Sequence, residues 1–133
     1  MTAVTRLVTH AELDQAGTNA RQLSVSARLE AALADGRSVV LLDDRGWSSF
    51  LSGDGADIRE WASAEDIADT ARMVVGPDGP FDGQTEEQAE AAHWAALADI
   101  LEQQGVDASG PELARLPHDV TFGDRLRAWL AGD

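Results

Sequence analysis

The chain has no cysteine and no lysine, a single asparagine (Asn19), and no apolar run near the ~18 residues a membrane-spanning helix requires. Without cysteine there is no disulfide framework and no thiolate-ligated zinc or iron–sulfur centre. The opening residues, MTAVTRLVTHAELDQ, lack the long apolar core behind a basic start that marks a secretory signal. A cytoplasmic protein that does not engage membranes is therefore expected. All ten basic residues are arginine. Together with abundant Ala, Gly and Asp, this matches coding from GC-rich DNA or adaptation to high salt. Either origin would lower the functional weight of the acidic excess.

That excess is large and unevenly placed. The 133 residues carry 24 acids against ten arginines, a net charge of −14. Residues 51–110 hold fourteen carboxylates against Arg59 and Arg72, a net of −12. Residues 1–50 (six acids, five arginines) and 111–133 (four acids, three arginines) contribute −1 each. Phosphate-backbone affinity needs clustered cations, and these arginines are dispersed among acids, so direct nucleic-acid binding is not expected. A one-signed surface instead selects basic partners and speeds their approach. It does not specify a reaction.

At this length one domain, 1–133, is expected, burying about two thirds of the surface the unfolded chain exposes. Helix starts are signalled by capping boxes, in which a Ser or Thr side chain satisfies a free backbone N–H three residues on. Thr9-x-x-Glu12, Thr85-x-x-Gln88 and Ser109-x-x-Glu112 fit, with Ser63-x-x-Asp66 and Thr121-x-x-Asp124 as looser versions. Gly17, Gly36, Gly76 and Gly105 are placed to end helices. These signals predict helices near 10–16, 25–35, 64–75, 86–104, 111–116 and 122–131. Apolar stripes on three of them, Ile67/Ala71/Val74/Val75, Trp94/Leu97/Ala98/Leu101 and Phe122/Leu126/Trp129/Leu130, read as core.

Strand signals are fewer. Arg-Ser-Val-Val-Leu-Leu at 37–42, then Asp43-Asp44-Arg45-Gly46, then Trp47 to Leu51 predict a hairpin across 37–51. Val4 to Val8 offers a third strand. The expected fold is α+β: a small antiparallel sheet packed with about five helices.

No motif commits the chain to chemistry. Glu86, Glu90 and His93 share one helical edge, but carboxylate-bridged metal bundles need a second Glu-x-x-His, and there is none. His10 and His118 are the remaining imidazoles, and nothing in the sequence brings them near. Gly53-Asp54-Gly55-Ala56-Asp57 is one incomplete unit of a calcium repeat. The run Asp78 to Gly83 fails as an EF-hand, because Pro80 and Ala89 occupy ligand positions. Gly46-Trp47-Ser48-Ser49-Phe50 lacks the second glycine of a nucleophile elbow, and Asp119 beside His118 does not by itself orient that ring. Phosphate-binding glycine motifs are missing. No catalytic residue and no cofactor is assigned.

The leading expectation is a non-enzymatic module that binds a basic protein through Asp54, Asp57, Glu60, Trp61, Glu65, Asp69, Glu86, Glu87 and Glu90. Trp61 would serve as an aromatic anchor, or as a staple onto the helix capped by Ser63. Small size and acidity fit an immunity or antitoxin protein that blocks a cationic toxin. The alternatives are a small enzyme or metal protein using a carboxylate pair or His93, and a structural subunit or homodimer. Any self-association would use the less charged ends.

Overall fold

The computed structural model describes residues 3–51, 57–60, 62–77 and 83–131. Three long strands come first: β1 (Val4–Leu13), β2 (Gln22–Leu33) and β3 (Ser38–Phe50). Helices α1 (Ala64–Val74), α2 (Glu86–Gln103) and α3 (Gly110–Arg115) follow, then strand β4 (His118–Phe122) and helix α4 (Asp124–Leu130). The strands form one sheet in the order β3-β2-β1-β4. β1/β2 and β2/β3 are antiparallel, and β4 returns to lie parallel to β1. The class is α+β, with a mixed four-stranded sheet and four α-helices among the described residues. No described helix is long and apolar enough to cross a membrane.

The predicted helix at 25–35 is instead strand to Leu33, and the one at 10–16 is strand to Leu13, followed by a short 3-10 turn at Gln15–Gly17. β2 carries Leu23, Val25, Ala27, Leu29, Ala31 and Leu33 at alternate positions, all buried, with Ser24, Ser26, Arg28, Glu30 and Ala32 between them. That is a period of two, which places one set of side chains on one face of a sheet. Its Ala, Leu, Arg and Glu content favours helix intrinsically, but burial of a whole apolar row outweighs a propensity worth tenths of a kcal/mol per residue. β1 does the same with Leu7, Thr9, Ala11 and Leu13, and there Thr9 is fully buried rather than capping a helix. Val4 to Val8 is strand as expected, continuing to Leu13.

The expected hairpin at 37–51 is one continuous strand. The reversal falls earlier, at Ala34 to Arg37, where Gly36 adopts φ +91° and Asp35 Oδ1 accepts the Arg37 N–H at 3.0 Å. Asp43 and Asp44 instead fall in an irregular stretch of the β2–β3 register, while Arg45 and Gly46 pair with Ala27 and Ser26. A Cβ at Gly46 would sit 2.7 Å from the Val25 carbonyl oxygen, so glycine there serves close strand approach, not a turn.

The alternate apolar row of the sheet meets the helices in two clusters. Leu7, Leu29 and Leu33 pack with Leu97 and Leu101 of α2, Leu113 of α3 and Val75 just after α1. Ala11, Leu13, Leu23 and Val25 pack with Ile67 and Ala71 of α1 and with Leu126 and Trp129 of α4. The stripes predicted for these helices are therefore core, except that Phe122 packs against it from β4 rather than from α4.

Three caps form as predicted. Ser63 Oγ accepts from the Asp66 N–H, Ser109 Oγ from the Glu112 N–H, and Thr85 with Gln88 completes a reciprocal box. Thr121 lies in β4 and does not cap α4, which starts after Gly123. Glu12 caps that helix from the adjoining strand: its Oε1 accepts from the Leu126 N–H at 2.9 Å and from the Leu13 N–H at 2.7 Å. A Cβ at Gly123 would overlap the Glu12 carboxylate, so this cap requires a glycine opposite it.

Candidate functional site

The acids singled out in the sequence fall into separate groups, because α1 packs on one apolar cluster and α2 on the other. Asp57 begins the short 3-10 turn Ile58–Glu60, where its Oδ1 accepts the Arg59 N–H at 3.0 Å. It lines an open cleft of about 580 Å³ with Arg59, Arg125 and Trp129, the Arg59 guanidinium lying 5.4 Å from the Trp129 ring centroid. Glu65 is exposed in the first turn of α1, and exposed Asp69 meets Arg72 Nη1 at 3.3 Å. Asp54 and Trp61 lie outside the described residues, as do most of the Gly53–Asp57 and Asp78–Gly83 runs and the Glu60 side chain.

Glu86, Glu87 and Glu90 occupy the first half of α2, and all three are exposed. Among the described residues none of them forms an ion pair. A helix N-terminus carries partial positive charge, which accounts for Glu86 and Glu87 in the first turn. It does not account for Glu90, nor for exposed Asp99 and Glu102 further along, where the dipole favours cations. α2 holds five carboxylates and no arginine.

Glu87 and Glu90 border a groove of about 460 Å³ between α2 and α3, walled by Ala91, Trp94 and Ala95 on one side and Gly110, Pro111 and Ala114 on the other. The small residues create it. A Cβ at Gly110 would lie 3.1 Å from the Ala95 nitrogen, so the two helices approach almost to backbone contact, and Ala91, Ala95 and Ala114 leave the space above them open. Trp94 supplies the aromatic surface; its indole Nε1 is buried with no hydrogen-bond partner among the described residues.

His93 faces elsewhere. It borders a smaller cavity of about 310 Å³ against β3, with Leu42, Arg45, Ala89 and Ile100, and its ring meets Trp94 edge-on at 5.0 Å. Glu90 and His93 thus border cavities on different sides of α2. The described residues bring together no group of three or more His, Asp or Glu side chains able to hold a metal ion.

The two other histidines lie on neighbouring strands but on opposite faces of the sheet. On the outward face, His10 Nε2 is 3.0 Å from Glu30 Oε2, which also accepts from Arg28 Nε at 2.9 Å. On the other side of the ring, Nδ1 shares a 2.8 Å hydrogen bond with the Thr121 hydroxyl. On the inward face, His118 Nε2 shares a 2.6 Å hydrogen bond with buried Thr9 Oγ1, and the His118 carbonyl accepts from Arg72 Nε at 3.2 Å. Burial, and then the Arg72 charge, hold the His118 pKa below the ordinary histidine value, against a smaller opposing effect of Asp119. Asp119 points away from that ring and pairs with Arg6 at 2.9 Å, because successive strand residues face opposite sides.

Hydroxyl, imidazole and carboxylate in series are the components of an activated nucleophile. Here the hydroxyl is exposed on the sheet's outward face, where bulk water rather than fixed donors would meet developing charge. The geometry fastens β4 to β1. Sequence reasoning missed this network because it depends on a parallel pairing between residues 109 and 111 positions apart. Comparison with protein-family models, curated proteins and solved structures finds no match to this chain.

Proposed function

We propose that this protein is a non-enzymatic binding module that engages a basic partner protein through an acidic surface centred on the first half of α2. One observation carries the reading: Glu86, Glu87 and Glu90 are exposed and have no cation beside them among the described residues, although arginines neutralise acids elsewhere on the molecule. Uncompensated like charge costs stability through self-repulsion and gains speed of encounter with an opposite charge. An inhibitor of a cationic toxin, of the immunity or antitoxin kind, is the concrete form this function would take. Asp57, Glu65 and Asp69 would extend the same field from the α1 side.

The test begins with capture of partners on the immobilised protein and elution in a salt gradient. A basic protein bound in stoichiometric amount and released by salt is the expected result. Charge reversal at Glu86, Glu87 and Glu90 should then slow association with it while leaving the circular-dichroism spectrum unchanged. Association at an unaltered rate after reversal would overturn the reading.

A further inference from the structure

Resting on the proposed acidic-face function, we infer that the α2–α3 groove is the docking slot, and that its occupant is an amphipathic helix of the partner, presenting an apolar side chain with Arg or Lys one turn away. The walls are apolar and aromatic (Ala91, Trp94, Ala95, Pro111, Ala114), and the volume of about 460 Å³ lies in the range of ligand sites, roughly 300–1,000 Å³. The charge lies on one side only. Glu87 and Glu90, three residues apart on the exposed surface of α2, stand about one helical turn from each other. A partner helix laid in the groove with its apolar stripe down carries cations at matching spacing against that edge, the helix-in-groove mode of recognition. The asymmetry fixes orientation: cations toward α2, neutral residues toward Pro111 and Ala114. Glu90 is the most informative rim residue, since the helix dipole already explains Glu87.

A fluorescein-labelled, alanine-based helical peptide carries the test, with two leucines four residues apart and an arginine one turn from each. Anisotropy gives its affinity, and the Trp94 indole N–H signal in a 15N-labelled sample reports where it binds. Saturable binding that shifts this signal is expected. So is weakening of about tenfold or more when the leucines become serines or the arginines become glutamates. Two sets of variants separate this inference from the broader one. Ala91→Leu with Ala114→Leu, both exposed positions, fills the groove without touching charge. Glu87→Gln with Glu90→Gln removes charge without filling it. Loss of binding in both sets supports the docking slot. If charge removal weakens binding but filling does not, the acidic face stands and the slot is overturned. If filling abolishes binding but charge removal does not, the acidic reading falls, and with it the cationic occupant. No saturable binding at about 1 mM peptide, or saturation without a shift at Trp94, overturns the slot outright.

Discussion

On the outward face of the sheet, carboxylates sit beside arginines: Glu30 against Arg28, and Asp119 against Arg6. Along α2 the five acids have no ion-pair partner among the described residues. The two regions belong to one chain and share one amino-acid composition. A genome-wide or salt-driven acidic bias would add acids to surfaces in general. It does not explain why arginines accompany them on one surface and are missing from the other. The difference also separates two uses of charge. Pairs across strands help to fix a register, whereas unpaired carboxylates on a helix leave a field directed outward.

Both regions stand on the same core, and that is where the largest effects are expected. Leu29→Ala beneath the sheet and Leu101→Ala beneath α2 remove side chains that are 0% exposed, and each should cost about 2–5 kcal/mol in urea-unfolding experiments. A similar loss at both would show that α2 is as firmly anchored as the sheet. A much smaller loss at Leu101 would mean that the acidic helix is only loosely held.

Next comes the Glu12 cap. Gly123→Ala should destabilise by about 1–3 kcal/mol, since its Cβ would displace the carboxylate that caps α4. In a Glu12→Ala background the same substitution should cost far less. A double-mutant cycle showing simple additivity would refute the coupling.

A smaller, pH-dependent effect belongs to His118. Its folded-state pKa lies below the unfolded value of about 6.5, so the unfolded chain takes up the proton first. Its contribution is therefore complete above that value. It declines as pH falls through it, until the folded-state pKa is passed. His118→Gln cannot titrate, so the stability difference between wild type and variant should be flat above about pH 7.5 and move against wild type as pH drops below about 6.5. A difference independent of pH would remove the histidine from the account.

The smallest expected change is the sharpest test of the contrast. Arg6→Ala, which breaks an exposed pair, should cost about 0–1 kcal/mol. Glu90→Gln should shift stability by less than about 0.5 kcal/mol in either direction. A large loss at Glu90 would make it a structural residue and weaken its claim to a partner.

How much of this was legible depends on the range of the interaction that decides each element. Helices α1, α2 and α3 were readable because caps at Ser63, Thr85 and Ser109 act within four residues, and the stripes of α1 and α2 follow one period. β2 was misread because its residue types favour helix while their order, Leu-Ser-Val-Ser-Ala-Arg-Leu-Glu-Ala, alternates strictly; the order was the better guide. Thr9-x-x-Glu12 imitated a cap because the pattern carries no information about the neighbouring strand. The end of β4, Thr121 and Phe122, was assigned to a helix start for the same reason, since the five residues of this strand gain strand character only once β1 is beside them. The exposed acids of α2 could be picked out by composition. The groove they border could not, because it depends on Gly110 bringing α3 against Ala95.

The place of β4 has a consequence for how the molecule assembles. β1 is made early and can pair with β2 at once, yet its other edge is completed by residues more than a hundred positions later. Until α1, α2 and α3 have been made, that edge presents unpaired backbone N–H and carbonyl groups, the template on which strands of other molecules add. Closing so long a loop is slow by comparison with hairpin formation. A nascent chain of this protein therefore passes through a half-finished sheet that is itself nearly neutral, and the charge that would repel neighbouring copies arrives only with residues 51–110.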